Sequence, residues 1–191
     1  YFGKRLGCKT DVLYLISETP SQKEIESKIL GTDIVYVGGG NTLYLLKTWR
    51  KFGLERVLRK AAQQDIVLSG VSAGAICWFQ YGNSDSLKFS DARNPLIKLK
   101  GLVFIPSLMA CPHYDAEKSR RLSLKKMIKK TGGISIALEN CSAFELIDNQ
   151  WRILISSRKA NAYKVYRSNG GVFEEALPID RRYHSLAELV K

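Results

Sequence analysis

Residues 70–74 read Gly-Val-Ser-Ala-Gly, set between an apolar run, Ile66-Val67-Leu68-Ser69, and a segment of helical character from Ala73 to Phe79. A serine between two glycines at a strand-to-helix junction is the pattern of a nucleophile elbow. The turn is so tight that small residues must flank the serine, and it lifts the hydroxyl off the carboxyl edge of the sheet. The pentapeptide alone carries little specificity, because glycine and serine are common in any βα turn. Its context adds to it: a strand before, a helix after, and a second glycine cluster, Gly38-Gly39-Gly40, upstream.

The rest of the chain fits a doubly wound α/β fold, a mostly parallel sheet with helices on both faces. Asp11–Ile16 reads as a buried strand, Ser21–Leu30 as an amphipathic helix capped near Thr19 or Ser21, and Asp33–Val37 as a second buried strand. Helices are expected from Leu43 to Trp49 and from Leu54 to Gln64. Tyr81–Lys100 has few periodic apolar positions and reads as a long loop over the active edge. A short strand, Leu108–Cys111, ends at Pro112-His113-Tyr114-Asp115, and a basic helix follows over Glu117–Lys130. Strands Ile134–Leu138, Ala143–Ile147, Trp151–Ile155 and Ala162–Tyr166 come next, with hairpin turns at Asp148-Asn149 and Asn169-Gly170-Gly171 and a closing helix at Ser185–Val190. No repeat or linker is visible, so residues 1–191 are expected to form one domain. Tyr1–Gly7 reads as a helix end feeding a strand, so that domain is expected to lack its first strands.

Composition narrows the classes. With 45% hydrophobic and 25% charged residues the chain has the balance of a globular protein. No apolar run approaches the roughly 18 residues of a membrane span, and no signal peptide is visible. The four cysteines, Cys8, Cys77, Cys111 and Cys141, are widely spaced, which suits reduced, mostly buried thiols in a cytoplasmic protein and no metal site. The net charge of +12 raises nucleic acid as a partner. Lysines and arginines are scattered over helix faces, however, so a solvated basic surface or attraction of anionic substrates is the better reading.

A serine hydroxyl needs a base. The chain has two histidines. His184 lies in a polar tail, whereas His113 follows a strand end and shares the carboxyl edge with Ser72. A carboxylate should fix the base's tautomer, and Glu139, Asp85 and Asp115 are the candidates by position. The oxyanion needs waiting donors: the Ala73 amide is one by elbow geometry, and the turn Gly38-Gly39-Gly40-Asn41 can supply the other. Gly39 and Asn41 are also expected to touch substrate. The same turn could bind phosphate before a helix, but it lacks both G-x-G-x-x-G and a P-loop lysine.

Val37-Gly38-Gly39-Gly40-Asn41-Thr42, Gly70-Val71-Ser72-Ala73-Gly74-Ala75, Pro112-His113-Tyr114 and Leu138-Glu139-Asn140 stand in the order and spacing of the peptidase E family, which the chain resembles over most of its length. These are alpha-aspartyl dipeptidases, serine peptidases on a class I glutamine amidotransferase-like fold. The resemblance implies Ser72 as nucleophile, His113 as base and Glu139 as third member, with Asp85 matching a rival aspartate for that place. It puts Gly40 and Ala73 at the oxyanion positions and Arg120 where a substrate aspartyl carboxylate is received. It implies cleavage of dipeptides or short peptides after an N-terminal aspartate, without a cofactor. The expected partner is a small peptide, with no nucleic acid and no membrane, and a homodimer left open. The other reading is a noncatalytic amidotransferase-like domain that binds an anionic metabolite or a protein at the same edge.

Overall fold

The computed structural model describes the backbone of residues 1–191 and every side chain but that of Lys118. Where one domain was expected, the chain packs as two compact units, residues 1–36 with 44–69 and residues 37–43 with 70–191. The crossings fall inside regular elements, so no linker composition marks them.

The first unit carries α1 (Phe2–Leu6), α2 (Gln22–Leu30), β1 (Ile34–Val37), α3 (Thr42–Lys51), α4 (Leu54–Gln63) and β2 (Val67–Gly70), whose last residues pass into the second unit. Ser21 starts α2 through a reciprocal capping box with Glu24. Ile25 and Ile29 of α2 and Leu54, Val57, Leu58 and Ala61 of α4 are buried, and the two helices pack together. β1 and β2 pair, with the Val67 N–H donating to Asp33 O.

The strand expected over Asp11–Ile16 does not form. Val12, Tyr14 and Ile16 are 51%, 51% and 76% exposed. An apolar run is only a preference; a strand needs a ladder partner. The ties of this segment lie at its head, where the Asp11 carboxylate accepts Lys28 Nζ at 2.6 Å and the Val12 N–H at 2.7 Å.

The second unit holds α5 (Ala73–Ile76), β3 (Phe79–Ser84), a 3₁₀ turn (Ser86–Phe89), β4 (Ile97–Lys100), β5 (Ile105–Cys111), α6 (Lys118–Thr131), β6 (Ile134–Leu138), β7 (Ser142–Ile147), β8 (Gln150–Ile155), β9 (Ala162–Ser168), β10 (Gly171–Ala176), β11 (His184–Ser185) and α7 (Leu186–Leu189). Its main sheet has six strands in the order β10-β9-β6-β5-β3-β4. The central three, β3, β5 and β6, run parallel. Their carboxyl ends therefore deliver Asp85, His113 and the Glu139-Asn140 pair to one edge, where ligands bind in open α/β sheets. Leu124 and Ile128 of α6 bury against Met109, Cys111, Tyr114, Ala137 and Val165. A second sheet, β11-β8-β7, is antiparallel, and its turn has Asp148 and Asn149 at φ 48° and 61°, as a two-residue hairpin requires.

Two expectations are corrected here. Tyr81–Lys100 is not a loop: β3 begins at Phe79, and β4 pairs with it. The signal was hidden because Asn83 and Ser84 are wholly buried polar residues, held by hydrogen bonds rather than marked by apolar alternation. The elbow helix accordingly ends at Ile76. β10, to which no bounds were given, completes the hairpin expected at Asn169-Gly170-Gly171 by pairing antiparallel with β9. Among the described helices none is long and apolar enough to cross a membrane.

Gly74 fixes how closely the elbow can pack. A methyl group there would lie 2.1 Å from Val37 O, and one on Gly70 2.3 Å from Gly74 O. Gly74→Ala should therefore lower stability by about 1–3 kcal/mol or more, read as a lower Tm; an unchanged Tm would contradict this close approach.

Candidate active site

Ser72 occupies the turn between β2 and α5 with φ 56° and ψ −113°. That conformation is strained for a residue with a Cβ, by about 1–3 kcal/mol, and persists only where its surroundings impose it. They do so here. The Val71 N–H donates to Val37 O at 3.0 Å, and the amides of Gly74, Ala75 and Ile76 close on Val71 O and Ser72 O. The side chain is left half-buried, with no hydrogen-bond partner for Oγ among the described residues. The Ala73 N–H, at the first position of the helix, likewise has no acceptor among them.

The glycine turn after β1 lies against this serine. A methyl group on Gly39 would come within 3.3 Å of Ser72 Cβ and 3.8 Å of Oγ, and Gly40 has φ 139°, a value natural only to glycine. Asn41, expected at the substrate, instead donates from Nδ2 to Ser86 O at 3.1 Å, while Ser86 Oγ accepts the Leu43 N–H at 3.0 Å. The side chain of Asn41 thereby ties the glycine turn to the segment after β3.

His113 also has a positive φ, 56°, two residues past the end of β5. Its Nδ1 stands 2.8 Å from Asn140 Oδ1. With the amide oxygen facing it, Nδ1 carries the proton and Nε2 is left as the basic nitrogen. Asn140 is itself fixed, its N–H donating to Asp115 Oδ1 at 2.9 Å.

Glu139 does not make the expected bond to His113. Its Oε2 accepts the Asn161 N–H at 2.8 Å, and its Oε1 accepts the Tyr163 hydroxyl at 3.2 Å. β6 ends at Leu138, and Glu139 and Asn140 stand in the turn that follows, closed by the Ser142 N–H donating to Glu139 O at 3.1 Å. Glu139 turns toward β9, where donors wait, and Asn140 turns toward the histidine. Asn140 was the residue missed, although it was visible as the next polar side chain at the same strand end.

Asp85 and Arg120 also differ from expectation. Asp85 sits at the head of the 3₁₀ turn with Oδ2 3.4 Å from Arg120 Nη2. Arg120 is only 2% exposed at its side chain. Its Nη1 donates to Asn83 O at 2.8 Å, and Nε and Nη2 grip the Glu117 carboxylate at 2.8–3.1 Å. The arginine expected to receive a substrate carboxylate is thus held by acids of its own chain. Glu117 lies three residues earlier on the rim of the same helix, a spacing that does signal such a pair.

Beside the histidine turn, Glu174 of β10 accepts the Tyr114 hydroxyl at 3.0 Å and Lys125 Nζ at 2.7 Å, and is bound by Arg121. Burial raises its pKa, but the hydrogen bonds from Arg121, Lys125 and Tyr114 prevail and hold it at about 2. Burial, in contrast, pushes the Cys111 thiol up to about 12 and the Cys77 thiol up as well, so both stay protonated and unreactive. Cys8 and Cys141 are exposed, not buried as expected.

A strained serine elbow with a glycine turn against it, in an α/β chain whose parallel strands carry a histidine past the end of β5, is the arrangement of α/β enzymes of the nucleophile-elbow type. The profile of peptidase family S51 matches residues 1–154, and the chain belongs to that family of serine peptidases. It is 38% identical over 162 residues to a Bacillus subtilis protein described as the uncharacterized peptidase YgaJ, a match covering 84% of this chain and 67% of that one. Over 98 residues it is 29% identical to the uncharacterized peptidase PM1590 of Pasteurella multocida, covering half of this chain and 46% of that protein. The chain thus spans about two thirds of the one relative and less than half of the other. The crystal structure of a peptidase from an acI-B1 Actinobacterium shares the fold, with a TM-score of 0.61 at 18% identity over 85% of this chain and 63% of that one. The α/β, amidotransferase-like architecture expected from the sequence stands.

The low pKa of Glu174 has a sign that can be tested. A carboxylate held below its unfolded value of 4.5 stabilises the fold above that pH, and the contribution is lost as the pH falls from about 4.5 toward 2. With the side chain 13% exposed, the effect is on the order of 3 kcal/mol. Urea unfolding should show wild-type stability falling over that window and a flatter curve in Glu174→Gln; parallel curves would contradict the assignment.

Proposed function

We propose that the protein is a serine exopeptidase acting on dipeptides or short peptides with an N-terminal aspartate. Ser72 Oγ attacks the carbonyl carbon of the first residue as its proton passes to His113 Nε2. The amides of Gly40 and Ala73 hold the oxyanion. His113 then gives the proton to the departing amine, the C–N bond breaks, and an acyl ester remains on Ser72. Water, deprotonated by His113, releases the acid and restores the serine. Asn140, rather than Glu139, keeps Nδ1 protonated throughout. The observation that carries this reading is the strained, flanked Ser72 elbow. The free cysteines favour a reducing, cytoplasmic setting.

Aspartate preference rests on the resemblance to the peptidase E family and on Arg120, whose Nε–Nη2 edge must first be released by Glu117. The test is hydrolysis of Asp-X dipeptides beside neutral and Glu-X controls. Ser72→Ala should reduce turnover by about 10³-fold or more with the fold intact. Glu117→Ala should raise kcat/KM several-fold for Asp-X alone. Activity of Ser72→Ala within about tenfold of wild type would sink the serine mechanism, and an equal change across substrates in Glu117→Ala would make Arg120 a structural bridge.

A further inference from the structure

His113 has a positive φ, so its ring can be aimed only if the turn around it is held. Two sets of contacts hold it. The first runs through the next residue. Tyr114 is buried, its N–H donates to Leu138 O at 3.0 Å at the end of β6, and its hydroxyl donates to Glu174 Oε2 at 3.0 Å. The second runs through the residues that present Asn140. Glu139 beside it accepts the Tyr163 hydroxyl, and the Tyr163 ring lies 5.7 Å from that of Tyr114.

Arg121 joins the two sets. Its guanidinium lies over both rings, 5.1 Å from the centroid of Tyr114 and 5.6 Å from that of Tyr163, and it is tethered to Glu174. Lys125, one turn further along α6, reaches the same carboxylate at 2.7 Å. One side chain on β10 therefore fastens the histidine turn, the tyrosine beside Glu139 and helix α6 together. It lies beyond residue 154, where the S51 profile match ends.

We propose that Glu174 is a positioning residue for His113, acting through Tyr114 and, by way of Arg121 and Tyr163, through the Glu139-Asn140 turn. The proposal rests on the reading of His113 as the base, which the test separates from it. Because the chain has only two histidines, the Cε1–H resonances of His113 and His184 can be followed one against the other. In Glu174→Gln and in Tyr114→Phe, the His113 resonance should shift or broaden while that of His184 stays in place. Turnover of Asp-X should fall about tenfold with KM little changed, within the roughly 10²-fold that a misplacement of about 1 Å brings. Combining the two substitutions should add little, and Glu174→Asp should recover part of the loss. Folded variants with the wild-type His113 resonance and wild-type kcat would overturn the proposal. Should Glu174→Gln fail to fold, Tyr114→Phe, which keeps the ring packing, decides alone. Wild-type turnover in His113→Ala would instead refute the base, and the resonance shift would still judge the positioning.

Discussion

The close approach of Gly74 to the carbonyl of Val37 is the contact on which the site depends. A single methyl group at Gly74 would come to 2.1 Å from that oxygen, and Gly70 is pressed between Val37 O and Gly74 O. Only with both side chains absent can the chain reverse from strand into helix within so few residues. That reversal forces Ser72 to a positive φ and leaves its hydroxyl half-exposed. The same compactness brings the glycine turn after β1 against the serine, so the candidate nucleophile and candidate oxyanion donors are set by one packing constraint.

The histidine is positioned by different means. It stands on a turn, and hydrogen bonds to side chains from β6, β9 and β10 fix that turn and its surroundings. The turn after β6 divides the work: Asn140 faces the imidazole, and Glu139 binds Asn161 and Tyr163 at the start of β9. Arg120 shows a similar economy. A fully buried guanidinium must have its charge met, and Glu117, Asp85 and the Asn83 carbonyl meet it. On the proposed reading, a substrate carboxylate at this arginine would have to displace Glu117.

Much of this was legible in the sequence because close packing leaves compositional marks. The elbow glycines, the apolar strands β1, β2, β5 and β6, the Ser21 cap and the two hairpin turns all follow from local rules. β3 did not, since its buried Asn83 and Ser84 carry no apolar alternation and are satisfied by polar partners, Ser123 for the one and Ser86 for the other. Asp11–Ile16 failed the other way, apolar enough for a strand but without a ladder. The places of Ser72, Ala73, Gly39, Gly40 and His113 in turns after strands were readable from the sequence, whatever the roles proposed for them. The choice between Glu139 and Asn140 was not, because it turns on a one-residue difference in side-chain direction. Nor was the burial of Arg120 or the reach of Glu174 from a hairpin more than fifty residues away.

The central claim is that Ser72 is an activated nucleophile with His113 as its base. A fluorophosphonate probe, followed by mass mapping of the labelled peptide, tests it most directly. The account predicts a single adduct on Ser72, formed rapidly in the wild type and slowed by about 10³-fold or more in His113→Ala. No adduct, an adduct elsewhere, or equal labelling of His113→Ala would contradict it.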